Sequence, residues 1–249
     1  MATQAALSSD VAEHRVVESS RARHVRLRMT VEDGLLVVIP QGFDRGRIPD
    51  LLRSKAAWIE RASARVDAHR RAIACTSGRP ERIDLRAIDR SWDVEWRAAA
   101  SERITLRDDG VRLVLSGAVD KSDNWRPALR RWLLDRGRTH LVPWLLELAG
   151  QASVEILGTS VRCQRTRWGS YSNRGTVSLN AQLLFLPPTL VRYVLCHELC
   201  HASHANHSPA FWAHLAELEP EVDCLRAELR EAWRFVPGWV VRMHGKTSD

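Results

Sequence analysis

The chain has 249 residues, 45% of them apolar, enough for one large domain or two small ones around a buried core, which excludes disorder along its whole length. Thirty-seven basic against thirty acidic residues leave a formal charge of +7, and since only Lys55, Lys121 and Lys246 are lysines, guanidinium carries it. The basic residues are dispersed, so an Arg-rich solvated face is the plainer reading and contact with nucleic acid or another anionic surface the alternative. No stretch approaches the roughly eighteen consecutive apolar residues of a membrane span, and Gln4, Asp10 and Glu13 interrupt the alanines of residues 1–14. The expectation is therefore neither a span nor a secretory leader, and a cytoplasmic location. An odd number of cysteines, five, predicts reduced thiols rather than a disulfide framework.

In chain order, Arg23 to Thr30 and Leu35 to Ile39 are β-prone runs separated by Asp33-Gly34, a strong hairpin signal. From about Asp44 to Ala68 the apolar residues Ile48, Leu51, Leu52, Ala56, Ile59 and Ala62 recur with helical spacing, predicting one long amphipathic helix. Gly78 and Pro80 mark a connection, after which Trp92 to Trp96 and a second hairpin around Asp109-Gly110 (103–106 with 111–115) read as strands. From Ser122 the pattern changes: Asp123 or Asn124 caps a helix reaching to Gly150, with Pro143 kinking or splitting it. Short strands at 154–157, 161–164 and 176–179 follow, with a loop around Trp168-Gly169-Ser170. Pro187-Pro188 precede an apolar helix from about Thr189 to Ser203; Ser208-Pro209, a serine N-cap before a first-turn proline, starts another. A last helix covers 221–234. The division expected is a strand-rich part over 1–120 and a second domain over 121–249.

The chemistry lies in His197-Glu198-Leu199-Cys200-His201, followed six residues later by His207. On a helix His197 and His201 lie about 40° apart and one turn along the axis, so two imidazoles face one ion, a geometry suited to zinc. Glu198 falls at the edge of that face, where it reaches a metal-activated water without occupying a ligand position, as a general base must. A random chain of this composition would contain this pattern on the order of 0.03 times. His207 is the expected third ligand, because the helix must end between Ser203 and Asn206 for a new one to start at Ser208, and the reversal returns its side chain toward the ion. His204 lies about 20° off the His197 line but about 10 Å along the axis, which disfavours it; Glu217, Glu219 and Glu221 trail further. Cys196 and Cys200 share the helical spacing but sit about 100° and 60° round from His197, so they read as core thiols.

The H-E-x-x-H-x5-H spacing matches metzincin peptidases, yet His204 stands where these carry glycine, and Met243 is the only methionine available for their methionine turn. A fuller resemblance is to the YgjP-like metallopeptidases, related in motif to SprT-like domains. It rests on Arg165-Thr166-Arg167-Trp168-Gly169-Ser170-Tyr171, Leu179-Asn180, Tyr193-Val194 through His201, and Asn206-His207-Ser208 with Phe211-Trp212. It extends to Ser20-Arg21-Ala22-Arg23, Val38-Ile39-Pro40 and the segment Ser54 to Ile59, and so to most of 17–225. Tyr171 stands where the family usually has cysteine.

The resemblance implies an α+β fold with a zincin-like metallopeptidase domain built on the HExxH helix, preceded by the strand-rich part with its long helix. It implies a hydrolase of protein or peptide substrates using one Zn2+, held by His197, His201 and His207, with Glu198 as catalytic base. Around the ion, Trp168, Gly169 and Ser170 form either a cleft wall and edge strand for an extended peptide or a packed turn. Asn180 orients substrate backbone, and Tyr193 either donates to the developing oxyanion or packs. Arg165 and Arg167 neutralise an oxyanion, bind a substrate carboxylate or form structural ion pairs, and Phe211 and Trp212 brace the His207 turn. The competing reading is a basic, DNA-associated binding protein whose zinc is structural or whose peptidase activity has decayed.

Overall fold

A computed structural model describes residues 13–30, 33–121 and 123–241. Met243 and the first twelve residues, on which the methionine-turn and leader expectations fall, lie outside them. The architecture is mixed α+β, with two compact units, residues 1–75 and 76–249. No helix among the described residues is long and apolar enough to cross a membrane.

The first unit holds β1 (His14–Ser19), β2 (Arg26–Thr30) and β3 (Gly34–Pro40) in the order β1-β3-β2. The Asp33-Gly34 hairpin forms as its sequence predicts, Gly34 taking φ +66° to close it. Residues 14–19, not anticipated as a strand, pair parallel with β3. Leu35, Val37 and Ile39 alternate inward and meet Ile48, Leu52 and Ile59 in a small separate core. Those last three come from two helices rather than one, α1 (Ile48–Ser54) and α2 (Ala56–Cys75). The break falls where the Ser54 hydroxyl donates back to the Leu51 carbonyl at 2.7 Å and Lys55 leaves helical geometry.

In the second unit β4 (Arg82–Leu85), β5 (Arg90–Ala98), β6 (Thr105–Asp108) and β7 (Arg112–Gly117) form a sheet of order β4-β5-β7-β6, with β5 and β7 parallel. It packs on α3 (Arg126–Gln151), and Trp92, Leu113 and Leu115 share one core with Leu129 and Leu133. That shared core is why the compact units divide after residue 75 and not near 120. The indoles of Trp92 and Trp132 each donate to one oxygen of Asp108, at 2.9 and 2.7 Å, tying two strands to the helix. Two helix expectations are corrected here. Pro143 does not split α3, because Leu141, Leu145 and Leu148 carry the buried stripe past it. Asp123 does not cap the helix; it takes φ +61° and pairs with Arg126.

A third sheet, β8 (Gly158–Arg162), β9 (Gly169–Tyr171) and β10 (Thr176–Asn180), has order β8-β10-β9, with β9 antiparallel at one edge. Residues 154–157, expected as a strand, make no ladder: the Leu157 N–H bonds the Gly175 carbonyl at 2.9 Å and its side chain is exposed. A 3-10 turn, Ala181–Phe185, then leads to α4 (Pro188–Cys200), α5 (Pro209–Leu218) and α6 (Val222–Leu229). The expected single helix over 221–234 stops at Leu229 and tightens into a 3-10 turn, Ala232–Phe235, which sets Trp233 against Trp168.

Asp108→Ala strands two largely buried indole N–H groups and should cost about 2–4 kcal/mol, whereas Asp108→Asn keeps one acceptor and should lose about half of that. Urea denaturation of the two variants measures the difference; an unchanged midpoint for the alanine variant contradicts this role.

Candidate metal centre

Proline at the first position of α4 fixes its start, and its apolar residues are buried on nearly every side, Leu190, Val191, Val194, Leu195 and Leu199 among them. Against that packed helix His197 is half-buried and Glu198 only 6% exposed. His201 terminates α4 still in helical geometry (φ −68°, ψ −11°), so the His197 and His201 rings remain one turn apart, 5.1 Å between centroids. Residues 201–203 unwind as turns, and the Ser208 hydroxyl accepts from the Phe211 N–H to open α5. The reversal carries His207 back to the pair: its Nε2 lies 3.0 Å from His197 Nε2. One ring nitrogen from each of His197, His201 and His207 lies within 4.8 Å of the others.

Phe211 is fully buried and packs against all three rings, at centroid distances of 4.9, 4.8 and 4.7 Å to His197, His201 and His207. Trp212 stacks on His207 at 5.6 Å. His201 Nδ1 lies 2.9 Å from the His204 carbonyl oxygen. Donation across that contact puts the proton on Nδ1 and leaves Nε2 with a free lone pair. His204 thus approaches the cluster through its backbone, while its ring turns to His214, 5.4 Å away.

Burial, then the charge of His201 and His207, lowers the His197 pKa to about 4, and burial likewise lowers that of His207. Neutral imidazole is the form that donates a lone pair to a cation. The three convergent ring nitrogens, one of them with its tautomer set by a backbone carbonyl, fit a borderline-soft divalent ion such as zinc. The neighbouring thiols do not join them: burial pushes Cys196 up to about 12 and Cys200 to about 11, and the Cys196 sulfur faces Glu219 at 3.8 Å.

Glu198 rests against the edge strand β9. Burial raises its pKa to about 7, opposed by a hydrogen bond from the Tyr171 backbone N–H and by the charge of Arg167. A Cβ at position 169 would stand 2.8 Å from both Cγ and Oε1 of Glu198, so glycine leaves the space that the carboxylate fills. Because Tyr171 contributes its main-chain N–H, the bond to Glu198 does not depend on whether a tyrosine or a cysteine side chain stands there.

A cleft of about 630 Å3 opens beside the imidazoles, and Trp168, Gly169 and Tyr193 line it with His197, Glu198 and His207. Trp168 stacks on Trp233 at 3.9 Å. Tyr193 is buried, which raises its pKa and keeps the phenol protonated, and its ring lies 6.2 Å from that of His197. Ser170 is half-buried in β9, opposite Ser178 and away from the cleft lining. Asn180 is fully buried, and the expectation that it orients substrate is corrected. Its side chain bonds the backbone of Gln164, Arg167 and Gln182, holding the segment that leads into Trp168. Sequence reasoning missed Arg226, Leu229 and Arg230 on the cleft wall; they sit 25 to 29 residues after His201, on α6 and its C-terminal cap, whose periodicity carries no chemical signal.

Gly169→Ala should destabilise the protein by about 1–3 kcal/mol, since the added methyl must displace a buried carboxylate. A thermal melt beside that of Ser170→Ala, which should change stability little, checks this; equal melting temperatures would contradict the close approach.

No curated protein matches the sequence. Among solved structures, the crystal structure of the metallopeptidase zymogen of Pyrococcus abyssi abylysin is 22% identical over 36% of this chain and 90% of that one. Its TM-score is 0.33. A family model described as YgjP-like, metallopeptidase domain, matches residues 23–232, well over half of the chain, and a metallopeptidase domain implies a bound metal. The protein belongs to the YgjP-like metallopeptidase family.

Proposed function

We propose that the protein is a zinc-dependent peptidase in which His197, His201 and His207 hold one ion and Glu198 moves the protons of the reaction. The observation that supports this most is the pairing of three convergent imidazole nitrogens with an adjacent carboxylate that is not one of the convergent donors. Zinc, when bound, supplies Lewis acidity that makes water a nucleophile near neutral pH and polarises a carbonyl.

The chain's own residues supply the rest. Glu198, buried and held by the Tyr171 N–H, takes a proton from the attacking water and passes it to the departing amine. An acid whose affinity for protons has been raised toward neutrality suits both transfers. β9 is an edge strand, paired only with β10 among the described residues, so its outer side presents backbone groups to which an extended peptide adds as a further strand. Tyr193, protonated and lining the cleft, donates to the developing charge on the scissile carbonyl oxygen. Trp168 and Gly169, at the start of that strand, line the cleft beside Glu198. All five cysteines are free, which fits a reducing compartment and supports a cytoplasmic location. The alternative of a structural ion in a DNA-associated protein is less favoured, since a structural zinc site normally has four protein donors and three converge here among the described residues.

The purified protein should carry about one zinc per chain, cleave casein, lose that activity to a chelator and regain it with added zinc. Glu198→Gln should keep the zinc and lower turnover by about 10²–10⁴-fold, whereas His207→Ala should lose zinc itself. Retention of full cleavage by the Gln variant contradicts the assignment of the base. Chelator-insensitive metal together with steeply salt-dependent DNA binding and no cleavage would favour the structural-ion reading.

A further inference from the structure

The cleft beside the imidazoles is markedly cationic. Arg167, Arg226 and Arg230 line it, and Glu198 on its inner side is the only carboxylate among the lining residues. All three arginines are exposed, and none makes an ion pair within the described residues. Elsewhere on the same unit exposed guanidinium groups face carboxylates, as Arg82 does Asp84, Arg97 does Glu95 and Arg112 does Asp109. In the cleft three such groups converge on one concavity without a carboxylate of their own.

Arg226 is also held in position. Its guanidinium carbon lies 4.2 Å from the Trp212 ring centroid, and Trp212 stacks on His207, so guanidinium, indole and imidazole form a column running from α6 to the candidate metal centre. Stacking occupies the face of a guanidinium and leaves its N–H edge for a planar oxyanion, which a carboxylate matches with two parallel hydrogen bonds. Arg230, four residues on, projects from the same side of the helix. Asp223, one turn before Arg226, does not line the cleft. Arg167 immediately precedes Trp168 and Gly169, and its charge acts on Glu198, so a third guanidinium stands close to the reacting groups.

We infer that Arg226 and Arg230, together with Arg167, form a subsite for a carboxylate of the substrate, so that the peptides taken carry Asp, Glu or a free carboxy terminus next to the bond to be cleaved. This rests on the peptidase reading given above. The concave site beside the imidazoles favours a carboxylate on a peptide over the phosphates of duplex DNA, which need an extended accessible array of cations.

The test uses the full chain carrying Glu198→Gln and loaded with zinc, so that bound peptides persist. Fluorescence anisotropy compares peptides with internal Asp or Glu against their Asn or Gln counterparts, each with a free or an amidated carboxy terminus. The acidic forms should bind about tenfold more tightly, as expected for a charge-assisted bidentate contact at an exposed site. Adding Arg226→Gln and Arg230→Gln should abolish the preference without changing zinc content or circular dichroism, and Arg226→Glu should shift it toward Lys-containing peptides. A preference confined to internal residues assigns acidic side chains, and one confined to the free terminus assigns the terminal carboxylate. Equal binding of acidic and amide forms, no binding of any peptide, a preference surviving in the double variant, or displacement of the acidic peptide by duplex DNA overturns the inference. Acid-selective binding with no cleavage by the unaltered protein would sink the peptidase reading and leave the subsite standing; cleavage without acid preference would do the reverse.

Discussion

The packing of one ring, Phe211, against three imidazoles decides whether this protein has a centre at all. His197 and His201 are fixed by the helix that carries them, but His207 reaches them only because the chain unwinds after Cys200, turns, and restarts at Ser208. Phe211 lies one turn into the new helix and is completely buried, so α5 docks with its ring beneath the cluster. Removing that ring would leave a cavity under all three imidazoles at once. The serine cap and the first-turn proline set where the helix starts, and the phenylalanine sets where it sits.

Burial then acts on two kinds of group in opposite directions, because a low-dielectric surrounding disfavours whichever form carries charge. For His197 the neutral ring is favoured, which is the ligating form, and for Glu198 the protonated acid is stabilised until its affinity comes near neutrality. One physical cause thus acts on both the imidazoles and the carboxylate of the proposed centre. What prevents Glu198 from being an uncompensated buried charge is its lodging against β9, where the Tyr171 N–H meets it and Gly169 makes room. The edge strand proposed to receive a peptide also holds Glu198, so both depend on its pairing with β10.

The sequence made the three-histidine cluster legible because its members lie within eleven residues and obey helical spacing, with turn chemistry bounding the reversal. The two hairpins were legible for a similar reason, Asp33-Gly34 and Asp109-Gly110 being local signals. What escaped was non-local. β1 depends on parallel partners twenty-one residues away, and the division after residue 75 depends on Trp92 and Trp132 meeting at Asp108. Asn180 looked like a substrate contact because its position in the motif does not reveal that its amide is spent on three backbone segments. Arg226 and Arg230 carried no signal at all, since only the folding of α6 onto the cleft gives them one.

The convergence of exactly three imidazole nitrogens on one ion, with Glu198 outside the coordination sphere, is most directly tested by zinc-edge X-ray absorption on the loaded protein. The account predicts three nitrogen donors near about 2.0–2.1 Å completed by a light atom from solvent, with no sulfur shell near about 2.3 Å. A sulfur contribution, or a fourth protein donor closing the sphere, would contradict it.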